Sequence, residues 1–309
     1  MKQIVLLSGK GGTGKTSVAA AFAHLAHVSA SPLSAVLADA DVDAANLGLV
    51  LHPKQEEAHD FTGGAIAVIN YSECIDCGVC ENVCRFDAIL TPSMQNNGSG
   101  EHYSIDTIAC DGCAACVYAC PVDAIHMEPQ QAGRWFRSTS RYGTLFHADL
   151  FPAQENSGKL VTLVKQQARL FAMDNDFEVV IVDGPPGIGC PVIAAASGAT
   201  IAIIVTEPTI TGVHDLNRTL ETTYHFKIPT FVIINKADLN ALALNDIVSM
   251  CSIKNIEIIG QIPFDQTITE AMRKGDPVTA YNSEARSSKA LVTIWERVVE
   301  ILSHTGDSE

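Results

Sequence analysis

Residues 9–16 read Gly-Lys-Gly-Gly-Thr-Gly-Lys-Thr, the spacing G-x-x-x-x-G-K-S/T of a phosphate-binding loop. The chemistry follows from the residue types. Glycines let successive backbone N–H groups turn inward around phosphate oxygens at a helix N-terminus. Lys15 then reaches the β- and γ-phosphates, and Thr16 offers its hydroxyl to Mg²⁺. Gly11, Gly12, Thr13, Gly14, Lys15, Thr16 and Ser17 are therefore the expected phosphate cradle. The ordinary loop needs one lysine, and this one carries a second, Lys10.

A different chemistry is written further along. Of ten cysteines, eight fall between residues 74 and 120, as Cys74-x-x-Cys77-x-x-Cys80-x-x-x-Cys84 and Cys110-x-x-Cys113-x-x-Cys116-x-x-x-Cys120-Pro121. Each member of the second set lies 36 residues after its counterpart, and the match continues from Cys84-Arg-Phe-Asp-Ala-Ile to Cys120-Pro-Val-Asp-Ala-Ile. This duplicated spacing is that of bacterial two-cluster ferredoxins, in which one short loop wraps three corners of a cubane and the fourth ligand comes from the other half. Cys74, Cys77, Cys80 and Cys120 are expected to hold one 4Fe–4S cluster, and Cys110, Cys113, Cys116 and Cys84 the other. Zinc sites, by contrast, pair two C-x-x-C knuckles. Arg85 stands where a proline often follows the fourth cysteine, which leaves all eight ligands in place.

These groups need elements to position them. Ile4–Leu7 reads as a short buried strand before the loop, and 17–27 as the helix after it. Val36–Ala38 reads as a second strand ending in Asp39-Ala-Asp41-Val-Asp43, and 177–182 as a third ending at Asp183 before Gly-Pro-Pro-Gly-Ile-Gly. Acidic residues at the carboxyl ends of parallel strands lie where open α/β sheets bind ligands. The cysteine module is read as an insertion over 61–132, opened by Phe61-Thr-Gly-Gly and closed by Pro129-Gln-Gln-Ala-Gly133, with a polar loop at 95–100. The nucleotide-binding domain is then discontinuous, 1–60 and 133–309.

Together GKGGTGKT, DADVDAAN and DGPPGIG resemble the deviant-Walker ATPases of the MinD, Mrp and nitrogenase iron-protein group. That resemblance implies a mostly parallel twisted α/β sheet flanked by helices, here interrupted by a small α+β ferredoxin-like fold. In the group, two subunits close face to face on two nucleotides, and the extra lysine reaches the partner's phosphates. Lys10 matches that position, which implies a homodimer when nucleotide is bound. By the same resemblance Asp41 orients or activates the attacking water, and Asp39 and Asp183 support the Mg²⁺ shell. Asn235, after a further strand, is placed to contact adenine, with Pro263 and Phe264 completing the base pocket. Asn235-Lys-Ala-Asp238 also spells the guanine-reading pattern, so ATP is favoured and GTP stays open.

The combination implies an ATPase that couples ATP hydrolysis to electron transfer towards a protein partner. Two alternatives remain: a carrier that assembles or delivers metal clusters to an acceptor, and a redox-sensing switch. Cys190, seven residues past Asp183, is expected to be a buried structural thiol. Asn156 or Ser157 is expected to cap a helix.

Composition bounds the rest. A formal charge of −15 argues against a broad nucleic-acid surface. With 47% hydrophobic and 18% charged residues the chain can build a sizeable core, and a cytoplasmic protein without a membrane anchor is expected. The uncharged run 184–206 holds three prolines and reads as a buried turn, helix and strand rather than a membrane span. The final helix is amphipathic but acid-rich, unlike a basic membrane-binding helix.

Overall fold

The computed structural model describes residues 1–29, 32–92, 102–152 and 157–305. The polar loop at 95–100 and the Asn156 cap lie outside them. In chain order the elements are β1 (Lys2–Ser8), α1 (Lys15–Val28), β2 (Ala35–Asp39), α2 (Leu47–Leu51), β3 (Lys54–Ile69), α3 (Val79–Val83), β4 (Ile89–Leu90), β5 (Ser104–Ile105), α4 (Ala115–Ala119), β6 (Ile125–Ser140) and β7 (Gly143–Leu150). They continue with α5 (Ser157–Asp174), β8 (Val179–Pro186), α6 (Cys190–Ala196), β9 (Ile201–Thr206), α7 (Ile210–His225), β10 (Thr230–Asn235), α8 (Ala241–Ile253), β11 (Glu257–Ile262), α9 (Gln266–Lys274), α10 (Val278–Tyr281) and α11 (Arg286–His304).

Contacts divide the chain into two compact units: Met1–His59 with Arg134–Leu150 and Ser157–Glu309, and Asp60–Gly133 with Phe151–Asn156. The strands run β11-β10-β9-β1-β8-β2-β7-β6-β3 in one sheet. The pairs β1/β8, β1/β9, β9/β10, β10/β11, β2/β8 and β2/β7 are all parallel. Parallel strands buried on both faces read as continuous apolar runs, as in Ile4–Leu7 and Ile201–Val205, which are fully buried. Leu6 pairs with Asp183, and Asp39 pairs with Asp183 from the other side. Register alone thus brings the acidic strand ends together beside the loop that leaves β1. β8 does not stop before Asp183 but runs through it to Pro186.

On one face α1 buries Val18 to Ala23. Alanine favours helix and lets that helix lie close to the sheet, while Phe22 supplies bulk, its ring 5.1 Å from that of Trp295 on α11. Burying a ring such as Phe22 contributes about 1.5–3 kcal/mol. The uncharged run 184–206 is the end of β8, a turn, α6 and β9, and no helix among the described residues is long and apolar enough to cross a membrane.

In the second unit the backbone repeats with the sequence. Left-handed residues recur 36 positions apart at Asp76 and Gly112, Gly78 and Ala114, and Asp87 and Asp123. The second pair leads into a short helix in each half, and the third lies just past each fourth cysteine. Gly112 is required, because a Cβ there would lie 2.2 Å from the Ala65 carbonyl oxygen. β4 and β5 pair antiparallel, and Ala67, Ile69, Cys116 and Ile125 form a small core.

Candidate functional site

The loop between β1 and α1 opens on a cleft of about 780 Å³. Gly11, Gly12, Thr13, Gly14, Lys15, Thr16, Ser17, Asp41, Asn235, Pro263 and Phe264 all line it. Gly14 is the N-cap of α1 with φ 94°, and a side chain there would strike the Asn235 amide. Asn235 braces the loop, its Nδ2 donating to the Thr13 carbonyl at 2.7 Å, while its Oδ1 accepts the Lys236 N–H. The residue expected at the base is thus also a buttress of the phosphate loop.

Lys15 is buried, its Nζ 2.6 Å from Asp183 Oδ1 and 3.9 Å from Asp41 Oδ2. Asp39 is fully buried and accepts N–H groups from Asp41 and Leu47. Two buried polar atoms in this region, Thr13 Oγ1 and Asp183 Oδ2, have no hydrogen-bond partner. Orphaned buried oxygens are costly, and a hydroxyl and a carboxylate oxygen beside a glycine loop are the donor types that phosphate and Mg²⁺ take. The residues present fit Mg²⁺–nucleotide.

Burial, then the Asp183 charge, pushes Asp39 up to about 8. Burial likewise raises Asp41 to about 6. Between the ordinary carboxylate range and about 8 the folded chain keeps a proton on Asp39 that the unfolded chain releases. Stability from this group is therefore full below about pH 4 and is lost as pH rises towards 8. Thermal unfolding without Mg²⁺ or nucleotide should show Tm falling from pH 5 to pH 8. Asp39→Asn should be more stable than the parent at pH 8, on the order of 1–3 kcal/mol, and should lose Mg²⁺-dependent nucleotide binding. A parent Tm that rises across this window would contradict the assignment.

Lys10 is not in the cleft lining. Its Nζ lies 2.6 Å from Glu207 Oε1 and 3.3 Å from Thr211 Oγ1. The other Glu207 oxygen pairs with Lys236 at 2.8 Å, and Lys236 in turn donates to the Gly12 carbonyl. These two lysines hold Glu207 below the usual carboxylate range despite its burial, which acts the other way. Sequence reading missed Glu207. Its place just past the carboxyl end of β9 was the available signal, since ligand-facing groups gather there.

Asp238 closes the guanine-reading pattern, but its carboxylate is engaged. Oδ1 accepts the Phe264 N–H at 2.6 Å and Oδ2 lies 3.7 Å from Arg286. A guanine reader needs both oxygens for two base N–H donors. An Asp238→Asn variant should therefore gain no affinity for xanthosine triphosphate, although an amide at a base-reading position would offer an N–H to the extra xanthine oxygen. Titration with fluorescent ATP, GTP and XTP analogues measures this, and a gain in XTP binding would restore the guanine reading.

Cys190, expected to be buried, is exposed. It is the first residue of α6, following an extended Gly189, so it sits at the helix end rather than in the strand layers. Cys251 on α8, by contrast, is buried, and burial pushes its thiol up to about 11.

The second unit holds two small pockets. Cys74, Cys77, Cys80 and Cys120 line one, together with Ile75, Tyr103 and Val122. Cys84, Cys110, Cys113 and Cys116 line the other, with Phe86 and Asp111. None of the ten cysteines is in a disulfide. Among the described residues no three His, Cys, Asp or Glu side chains stand close enough to hold a single metal ion.

Fold and cleft together define a nucleotide-binding P-loop protein of the mostly parallel α/β class. Residues 4–278 match the CobQ/CobB/MinD/ParA nucleotide binding domain, and the chain belongs to that family. It is 29% identical over 300 residues to the uncharacterized protein MJ0578 of Methanocaldococcus jannaschii, covering 97% of each chain. Among solved structures it resembles the septum site-determining protein MinD complexed with Mg-ADP from Pyrococcus horikoshii, with a TM-score of 0.56 at 17% identity over 99% of both chains. It also resembles the MinC:MinD cell division protein complex of Aquifex aeolicus, with a TM-score of 0.57 at 18% identity over 97% of this chain and 96% of that one. At these identities the structural likeness establishes the fold.

Proposed function

We propose that this chain is a cytoplasmic, homodimerising ATPase whose nucleotide cycle gates electron transfer to a protein partner, through two 4Fe–4S clusters. Cys74, Cys77, Cys80 and Cys120 would hold one cluster and Cys84, Cys110, Cys113 and Cys116 the other. One observation carries this reading: each pocket takes three cysteines from one repeat and the fourth from the other, the cross-ligation expected of a two-cluster ferredoxin.

Such clusters, when bound, supply one-electron chemistry at potentials of roughly −700 to +450 mV. The chain's own contribution is to orient and stabilise the sulfurs. Backbone N–H groups of Asp76, Ala88 and Ala124 donate to Cys74, Cys84 and Cys120, and hydrogen bonds to sulfur favour its charged form. Burial raises the Cys80 and Cys116 thiols, so a bound cation is what would keep them ionised.

In the cleft, Lys15 and the loop N–H groups hold the phosphates and Thr16 serves Mg²⁺, with Asp39 and Asp183 supporting its shell. Asp41, raised to about 6, is still largely ionised at pH 7 and is matched to orienting the attacking water. Lys10 would leave Glu207 for the partner's phosphates on dimer closure. Typical coupling energies of about 1–3 kcal/mol correspond to roughly 40–130 mV for one electron. Redox titration of anaerobically reconstituted protein, followed by EPR with and without ATP and Mg²⁺, should show a shift of that size. Two intact clusters indifferent to nucleotide would sink the coupling.

Cluster delivery is the second reading. Exposure of Cys77 and Cys113, one in each pocket, favours it, since an acceptor could reach them. ATP-dependent loss of iron to a chelator would move the assignment there.

A further inference from the structure

Residues 60–133 contain ten of the chain's 35 Asp and Glu but only one of its 20 Lys and Arg, Arg85. That segment therefore carries −9 of the formal −15. Glu73, Glu81, Asp87, Asp111 and Asp123 are exposed, while Asp76 pairs with His102 and Glu128 with His126, and Asp106 accepts backbone N–H groups.

Exposed apolar side chains are interspersed with these acids in the sequence, and two of them line the cysteine pockets. Ile75, 61% exposed, lines the first beside the exposed Cys77. Phe86, 42% exposed, lines the second beside the exposed Cys113 and Asp111. Tyr118, between Cys116 and Cys120, is 89% exposed. Apolar anchors within a charged rim are the anatomy of a protein-binding surface.

Charge decides the occupant. A second copy would bring the same acidic face, and like charges across an interface cost several kcal/mol. Anionic lipid and nucleic acid are repelled for the same reason. We infer that the exposed surface around the two cysteine pockets docks a protein with a basic rim about an apolar centre. That this partner exchanges electrons with the chain rests on the function proposed above. The docking itself does not.

The test uses the full-length reconstituted protein and cytochrome c, a basic haem protein, as probe, with binding followed by NMR shifts of the haem methyls. Affinity should fall at least about tenfold between roughly 20 and 200 mM salt. Glu81→Lys with Asp111→Lys should weaken low-salt binding about tenfold. Asp246→Lys with Glu296→Lys, exposed acids of α8 and α11, makes the same charge change and should move it less than about twofold. Tyr118→Ser, at a side chain too exposed to support the fold, should weaken binding at both salt concentrations. If the control pair weakens binding as much as the face pair, attraction is only to overall charge and the inference is overturned. An equally tight complex with an acidic probe such as flavodoxin overturns it as well. Iron and acid-labile sulfide counts keep the two readings separate. Absent clusters with face-dependent binding remove the proposed electron transfer alone, and full clusters with no face dependence remove the docking surface alone.

Discussion

Replacing Lys10 with alanine should lower ATP hydrolysis by about 10³-fold while leaving nucleotide binding to a single chain nearly intact. The size follows from what a cation supplied across an interface contributes to phosphoryl transfer, about 10³–10⁵ in rate. The selectivity follows from geometry. Lys10 is absent from the cleft lining and engages Glu207 and Thr211, so its loss takes no ligand from the nucleotide in its own chain. Lys15 lines the cleft and pairs with Asp41 and the buried Asp183, so Lys15→Ala should lose binding itself. Steady-state hydrolysis, equilibrium nucleotide titration and analytical ultracentrifugation with ATP separate the two variants. Full hydrolysis and nucleotide-dependent dimerisation in Lys10→Ala would remove the trans-acting role.

Serine in place of Cys120 should cost the protein roughly half its iron, because one of two four-iron clusters loses a ligand. The more telling outcome is which cluster disappears. Cys120 lies 46 residues after Cys74 yet shares a pocket with Cys74, Cys77 and Cys80. Cys84 likewise shares a pocket with Cys110, Cys113 and Cys116. The EPR signal left in Cys120→Ser should therefore match that left in Cys77→Ser, and the signal in Cys84→Ser should match that in Cys113→Ser. Pairing by sequence block, with Cys120→Ser resembling Cys113→Ser, would break the cross-ligation. The serine variants should also keep Mg²⁺-dependent nucleotide binding, since the cleft is lined without any of these cysteines.

Much of the cleft was legible because its signals are local. A glycine loop, a lysine and a threonine at fixed spacing need only a strand before and a helix after, and β1 and α1 supply them. The acidic strand ends were readable for a similar reason, since apolar runs terminate where the sheet meets ligand. Pairings made by side chains far apart in sequence were not readable. Glu207 meets Lys10 across 197 residues, and nothing in Val-Thr-Glu-Pro marks it as the partner of a loop lysine. Asp238 carries the letters of a guanine reader, but the Phe264 N–H occupies its carboxylate. Cys190 was misplaced because an apolar, uncharged stretch suggests burial throughout, while the helix begins at that residue and leaves it at an exposed end.

By itself, then, the sequence determined the place of the glycine loop between strand and helix, the 36-residue duplication and the grouping of apolar runs into buried parallel strands. Each depends on covalent spacing or on short-range backbone preference. The tertiary structure alone decided where Lys10 rests, what Asp238 and Asn235 are bonded to, and how far burial lifts Asp39. Those outcomes depend on the register of strands β1, β2 and β8 and on desolvation, which arise only when distant segments pack.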